Sequence, residues 1–408
     1  MSVSPVLASS IDDGKGAKLA RGSDGVGREV LHLRSVREVS YEVVHPARGV
    51  FDIDEDTLAS VLGARDALLV VDRTVDALFG TAIRRYAEAK LHALGVVLVD
   101  GTEGAKCWGQ VEQICTAAVR RGLSRDGAIV GIGGGSTLDV AGLAASIFRR
   151  GVQYLRVPTT LVGMVDVCVG IKHAVNFMGE KSTLGSFYPP SCGINDLSLL
   201  RTLPQRHIAC GLAEIIKLAA VCDERLFAAL EIHAGTLVAS RFQRPARIAR
   251  RVAIEAERLM MAELEPNLFE QHRNRLVDFG HSFSPRFEAA THFSMPHGEA
   301  VAIDMVLSTA LGVERGLCGD QVLDRLVQLC RQAELPIAQA VLPPVELART
   351  LLDVRRHRGG ALNLVVPTAI GSATFVQDVT ARDLANAVRR VGACASAGPT
   401  PHHAGDRL

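Results

Sequence analysis

A two-part fold is predicted for this 408-residue chain: an α/β half built on a parallel sheet, followed by an all-helical half. Three observations carry that expectation. From about Ala67, short β-rich runs alternate with helix-length segments, the pattern of βαβ units. After Ile194–Asp196 the texture changes to long segments with helical spacing and little strand character between them. A length of 408 residues with 48% hydrophobic and 22% charged residues suits two soluble domains with their own cores. The expected organisation is a flexible N-terminal arm over 1–30, an α/β domain over 31–195, a helical domain over 196–393 and a flexible tail over 394–408.

The elements follow in order. ALLVVD (Ala67–Asp72) reads as a strand ending in an acid, and a helix is expected from there to about Leu94. GVVLVD (Gly95–Asp100) repeats the strand-plus-acid pattern, and a helix over Gly109–Arg121 follows. GAIVGIGGG (Gly127–Gly135) is a strand running into a glycine turn, TLDVAGLAASIFRR is the next helix, and QYLRVPTT (Gln153–Thr160) is a strand stopped by proline. In the second half, LFAALEIHAGTLVAS, RPARIARRVAIEAERLMMAEL, VAIDMVLSTALGVERG and VLDRLVQLCRQAEL carry helical periodicity, with a short late pairing around LNLVVP and ATFVQD.

Bulk properties exclude several classes of function. A formal charge of +1, dispersed basic residues and 4% aromatic content offer neither an electrostatic footprint nor a stacking platform for nucleic acid. No apolar run approaches the ~20 residues of a membrane span, and the N-terminus lacks the charged-then-apolar order of a secretory signal. Nine cysteines occur singly, without a CxxC pair, so a disulfide framework is not expected and a reducing cytoplasm is.

Five stretches offer candidate chemistry. GIGGGSTLD (Gly131–Asp139) follows a strand and opens a helix, where glycines admit a pyrophosphate to free N–H groups at the helix N-terminus. Gly133, Gly134 and Gly135 would do this, with Ser136 or Thr137 adding hydroxyls, and Asp72 at an earlier strand end could accept from a ribose diol; a plain tight turn and a strand-end cap are the plainer readings. This is a Rossmann-like arrangement without the GxGxxG pattern. CGLAEIIKLAAVCD (Cys210–Asp223) is apolar except for Glu214 and Lys217, on one helix face. They read either as a buried ion pair, or as a metal ligand beside a cation facing an anionic substrate.

His281 and His297, each beside a glycine in DFGHSFSPRFEAATHFSMPHGEA, would complete with Glu214 a two-His, one-carboxylate set of the catalytic zinc type. His292 is then surplus. Asp166, Lys172, Asn176 and Lys181 punctuate Val165–Pro190, expected as a glycine-rich loop suited to a phosphorylated polyol or, more plainly, a solvated loop. RRHRGG (Arg355–Gly360) reads equally as a solvated face or as a cluster closing over a phosphate.

Taken together, GGGSTLDVAG, RVPTTLVGMVDVCVGIKHAVN, EKSTLGSFYPP, TLPQRH, CGLAEIIK, VDFGHSFSP and HGEAVAIDM, in this order over about residues 60 to 380, resemble the dehydroquinate synthase superfamily of sugar phosphate cyclases. The resemblance implies an N-terminal NAD-binding domain, a C-terminal helical metal-binding domain and a homodimer. By position it implies zinc (or cobalt as substitute) on Glu214, His281 and His297. It implies NAD on Asp72, Glu103, Lys106, Gly133, Gly134, Gly135, Ser136, Thr137, Asp139, Thr159 and Thr160. Asp166, Lys172 and Lys217 match catalytic positions, Asn176 and Lys181 substrate contacts, and Arg150 an arginine reaching the phosphate site of a partner subunit.

Departures point to a branch. Asn274 stands where dehydroquinate synthase has an arginine, Asp278 replaces asparagine, Pro285 replaces a second histidine, and Ser182 replaces asparagine. Loss of the arginine fits a substrate without a carboxylate. VDFGHSFSP, GIKHAVNF and LGSFYPP, with Leu264, Asp278, Arg356 and His357, resemble the C7-cyclitol synthases that act on sedoheptulose 7-phosphate, in particular the 2-epi-5-epi-valiolone synthases. The implied reaction is transient oxidation by NAD, phosphate elimination, reduction and intramolecular aldol closure, without net redox. The rivals are a sister C7-cyclitol synthase, dehydroquinate synthase itself, a metal-dependent polyol dehydrogenase and a non-catalytic relative.

Overall fold

The computed structural model describes residues 10–11, 18–23, 29–36, 38–272, 274–291, 294–338, 347–351 and 362–396. Residues 1–40 and 41–408 form two compact units. In the first, β1 (Ser10–Ile11), β2 (Lys18–Ser23) and β3 (Glu29–Arg34) pair antiparallel in that order. Part of the segment expected as a flexible arm therefore lies in a strand ladder.

The second unit begins with a six-stranded, wholly parallel sheet. Its strands are β4 (Glu42–Val44), β5 (Asp66–Asp72), β6 (His92–Val99), β7 (Ala128–Gly133), β8 (Gln153–Pro158) and, after a hairpin, β11 (Cys192–Ile194). Their spatial order is β4-β11-β8-β7-β5-β6. Side chains alternate across it with period 2. Ala67, Leu69 and Val71 enter the core beneath α1 (Thr57–Leu62) and α2 (Arg73–Lys90). Leu68 and Val70 enter the one beneath α3 (Trp108–Arg120) and α4 (Gly135–Ile147). This double winding is why β5 and β7 read as continuous apolar runs.

Two local expectations shift. The helix expected to reach Leu94 ends at Lys90, because His92–Leu94 joins β6; a register irregularity at Gly95 (φ 127°) lets the strand pair that far. The glycine-rich loop of Val165–Pro190 is mostly a hairpin, β9 (Lys172–Phe177) and β10 (Glu180–Phe187). Its two-residue connection, Met178 (φ 51°) and Gly179 (φ 83°), has the doubly left-handed form that matches strand twist.

From α5 (Gln205–Cys222) onward the unit is helical: α6 (Glu224–Ala239), α7 (Ala246–Leu264), α8 (Ser284–Ala290), α9 (His297–Glu314), α10 (Asp320–Gln332) and α11 (Ala381–Ser396). One two-stranded sheet, β12 (Leu364–Ala369) with β13 (Ser372–Val376), sits where the late pairing was expected. The core is centred on α5 and α9, which are apolar around most of their circumference and hence buried. The stretch expected as tail from 394 starts inside α11, which buries Leu384, Ala387 and Val391. Among the described residues no helix is long and apolar enough to cross a membrane.

Candidate active site

The two buried helices bring the candidate metal ligands together. Glu214 and Lys217 sit one turn apart on α5, with exposures of 0% and 2%, and Lys217 Nζ lies 2.5 Å from Glu214 Oε2. His297 opens α9 and places Nε2 3.2 Å from Glu214 Oε1. His281 follows Gly280, whose φ of 74° and tight packing on Val301 and Met305 require glycine, and its Nε2 is 3.8 Å from the same oxygen. One donor atom from each of Glu214, His281 and His297 lies within 4.8 Å of the others.

Both imidazoles are oriented from behind. His281 Nδ1 is 3.0 Å from the Phe279 carbonyl and His297 Nδ1 is 3.0 Å from Glu288 Oε1, so each turns Nε2 towards Glu214. Asp304, two turns along α9 from His297, accepts from the Phe283 and Ser284 amides at 2.5 and 2.9 Å and so anchors the turn that carries His281. Both Glu214 oxygens are shielded from solvent and accept no hydrogen bond of ordinary geometry. A buried carboxylate with unused lone pairs, facing two imidazole nitrogens, is a donor set that fits zinc.

Electrostatics agree with the geometry. Burial opposes the Glu214 anion, but Lys217, His281 and His297 hold its pKa well below the usual carboxylate value. Loss of hydration and the Lys217 charge push His281 down to about 4. The same loss of hydration acts on His297, yet Glu214 and Glu288 raise it to about 9.

The glycine turn lies at the C-terminal edge of the parallel sheet, where open α/β folds bind ligands. Helix α4 has no side-chain cap at its N-terminus. A Cβ at Gly133 would lie 2.6 Å from Thr137 Cβ, and Thr137 Oγ1 is buried without a partner. Asp72 caps α2 through the Thr74 and Val75 amides, and its Oδ2 lies 1.8 Å from where a Cβ on Gly101 would stand. Lys106 Nζ, 5% exposed as a residue, pairs with Asp139 Oδ2 at 3.0 Å and Glu103 Oε1 at 3.4 Å, and Ser136 donates to Glu103. Thr159 donates its amide to Gly133, and Thr160 Oγ1 accepts from Gly163. Bare amides, an orphaned hydroxyl and a strand-end acid fit the pyrophosphate and ribose of a dinucleotide.

A cleft of about 440 Å³ joins the two regions. It is lined by Glu103, Lys106, Gly135, Ser136 and Asp139 on one side, and by Asp166, Lys172, Lys181, Ser182, Lys217, Leu264, Asp278, His281 and His297 on the other. Glu214, Asp72, Gly133, Gly134, Thr137, Thr159 and Thr160 are not in its wall. Neither is Asn176, whose amide donates to Glu103 and accepts from the Ser182 amide, locking the hairpin to the 3₁₀ turn at Glu103–Ala105. Lys172 is half exposed; restricted hydration and the Arg275 charge lower its pKa. Arg150 stands apart, exposed and left-handed (φ 67°). A larger groove of about 820 Å³ runs along edge strand β6, away from all of these groups. Arg356, His357 and His292 lie outside the described residues.

Three residues that sequence reasoning missed line or support the cleft. Met260 and Arg275 line it, and Glu288 accepts from Lys181 Nζ at 2.6 Å as well as facing His297. Arg275 had a signal, since it adjoins Asn274, the position read as a lost arginine. Glu288, in an ordinary helical stretch, had none.

The model of the 3-dehydroquinate synthase N-terminal domain matches residues 96–210, and that of the C-terminal domain matches 211–355. This chain belongs to the dehydroquinate synthase family. Within that family it is 42% identical over 365 residues to a 2-epi-5-epi-valiolone synthase of Streptomyces glaucescens, covering 86% of this chain and 93% of that protein. It is 39% identical over 384 residues to one of Streptomyces albus, covering 92% and 93%. Among solved structures it is similar to ValA, the 2-epi-5-epi-valiolone synthase of Streptomyces hygroscopicus subsp. jinggangensis 5008, with NAD+ and Zn2+ bound. The TM-score is 0.84 at 39% identity, covering 89% of this chain and 99% of ValA.

Proposed function

We propose that this family member is a 2-epi-5-epi-valiolone synthase, converting sedoheptulose 7-phosphate to the cyclitol with release of phosphate. The observation that carries the reading is the Glu214–His281–His297 donor set, whose two histidines line the same cleft as Glu103, Lys106, Gly135, Ser136 and Asp139 of the cradle, together with Lys172, Lys181 and Lys217. The relatives' names select the branch.

Glu214, His281 and His297 would hold zinc; the turn at Gly133–Gly135 with Asp72, Glu103, Lys106, Ser136, Thr137, Asp139, Thr159 and Thr160 would hold NAD. There the metal supplies Lewis acidity towards substrate hydroxyls and NAD a hydride acceptor that is regenerated each turnover. The chain's own groups do the rest. Lys217, fixed by Glu214, keeps a full positive charge at the cleft wall for negative charge developing on the substrate. Lys172, whose pKa is lowered by loss of hydration and by the Arg275 charge, gives up a proton at Nζ more readily than an ordinary lysine. Asp166 stands near both lysines. Lys181 and Ser182, on the hairpin, suit the phosphate. Asp278 and Leu264 suit the hydroxymethyl end. Asn176 supports this wall from behind.

The reading extends to a homodimer in the cytoplasm. All nine cysteines are free, which suits a reducing compartment, and the exposed Arg150 suits a phosphate site in a second copy.

The test is phosphate release from sedoheptulose 7-phosphate by enzyme loaded with NAD and zinc or cobalt, with NADH absorbance followed in parallel. Phosphate without accumulating NADH is expected, and NMR of the product reads its stereochemistry. Steady NADH formation from a simple polyol would replace this reading with a dehydrogenase.

Two substitutions probe the halves of the site. Gly101→Ala forces the Asp72 carboxylate aside, because the new methyl would overlap Oδ2. NAD binding is expected to weaken by roughly tenfold, the loss of about one charged hydrogen bond, read by calorimetry, with zinc content unchanged. Glu288→Gln removes the charge behind His297, and zinc affinity is expected to fall about 10–100-fold in chelator competition. Burial opposes the Glu288 anion, but His297 and Lys181 hold its pKa down to about 2. The stability tied to that charge is therefore complete above the ordinary glutamate value, about 4.3, and is lost as pH falls towards about 2. Denaturant melts of Glu288→Gln should show a smaller loss across that window.

A further inference from the structure

We propose that Glu270 is a specificity-determining residue: it holds the Arg275 guanidinium against Asp278 and so withholds from the cleft a grip on carboxylate-bearing substrates. The proposal deepens the cyclase reading and rests on it. The sequence places asparagine at 274, but the structure places a guanidinium in the cleft wall one residue later. A free arginine there would be a carboxylate receptor, since its planar fork matches a carboxylate's two oxygens. The cleft therefore does not exclude such substrates by lacking an arginine. It does so by occupying the one arginine that lines it among the described residues.

Arg275 Nη1 pairs with Glu270 and Nη2 pairs with Asp278, so resident carboxylates take both arms of the fork. The Arg275 side chain is only 17% exposed and Asp278 9%, so little of either is left to solvent. Glu270 also accepts from Lys172 Nζ at 2.8 Å, and thus answers two of the cleft's cations at once. An incoming carboxylate would have to displace a resident one and would face two like charges. A hydroxymethyl group instead can donate its O–H to Asp278 without adding charge.

Glu270 is held where it can do this. Its amide donates to the Asn267 carbonyl at 2.9 Å, closing a turn. The neighbouring Phe269 ring packs edge-on against Phe187, with 6.0 Å between centroids. Phe187 is the register partner of Lys172 in the hairpin, so the turn docks on that strand pair by a ring and by a charge at adjacent positions.

The experiment is calorimetry on enzyme loaded with zinc and NADH, which cannot accept a hydride and so does not start the reaction, using two ligands. One is sedoheptulose 7-phosphate; the other is 3-deoxyheptulosonate 7-phosphate, which carries a carboxylate in place of the terminal hydroxymethyl. The wild type is expected to favour the sugar phosphate. Glu270→Gln is expected to tighten the carboxylate ligand by about tenfold, the scale of one released charged pair, and adding Arg275→Met should remove that gain. An unchanged carboxylate affinity in Glu270→Gln, or a gain that survives loss of Arg275, overturns the proposal. Arg275→Met alone, with Glu270 unsubstituted, tests it as well: carboxylate binding should not weaken, and a marked loss would mean that the guanidinium was already available. Binding heats do not depend on turnover, so an enzyme that binds the sugar phosphate but releases no phosphate defeats the cyclase reading alone. One that binds neither ligand defeats both.

Discussion

Glu214→Gln is expected to empty the metal site and destabilise the fold in the same step. Glu214 is fully buried, supplies the only carboxylate of the donor set, and neutralises Lys217 at 2.5 Å. Glutamine keeps the size but not the charge, so the Lys217 ammonium is left buried without its counter-ion. Breaking a buried pair from one side costs about 3–5 kcal/mol. Zinc affinity should collapse, and phosphate release should fall by about a thousandfold or more, since several kcal/mol of transition-state stabilisation depend on the metal. Elemental analysis and thermal melting check the two effects separately. Adding Lys217→Met should restore much of the stability and none of the zinc. A single variant that retained stoichiometric zinc would remove Glu214 from the donor set.

The second large effect is expected from Gly298→Ala, which touches no ligand. Helices α5 and α9 meet closely at Gly298, where a Cβ would stand 2.3 Å from both the Cα and the carbonyl oxygen of Cys210. These are backbone atoms, so no rotamer change relieves the overlap and the helices must part. His297 is the adjacent residue on α9, and Glu214 lies one turn beyond Cys210 on α5. Separation of the helices therefore pulls the donor set open. Overpacking of this kind costs about 1–3 kcal/mol, and zinc affinity should fall about tenfold or more, as when ligand orientation is disturbed. Chelator competition and calorimetric melting read both. Gly104→Ala is the control, because a Cβ there has nothing within 4 Å; unchanged zinc binding is expected.

Much of this site was legible before the fold was known. Glycines ahead of a helix, an acid at a strand end, and two charges in an apolar helix each break a local pattern, and chemistry gives the reason. The hairpin was not legible, because Met178 carries no turn signature although it occupies a left-handed position. Nor was the role of Asn176, which reads as a substrate contact yet ties Glu103 to Ser182. Arg275 was passed over beside Asn274, since spacing along the chain says which residue stands at a position but not which side chain reaches the cleft.

The sequence by itself determined the parallel alternation, the helical second half and which side chains could do chemistry, because those follow from periodicity and from interactions within a few residues. Only the tertiary structure decided the partners: Lys181 with Glu288, 107 residues apart, and Lys172 with Glu270 from a distant turn. Charge pairing, ligand orientation and pKa depend on distances of a few ångströms through space. Helix packing sets those distances between segments that no local rule connects.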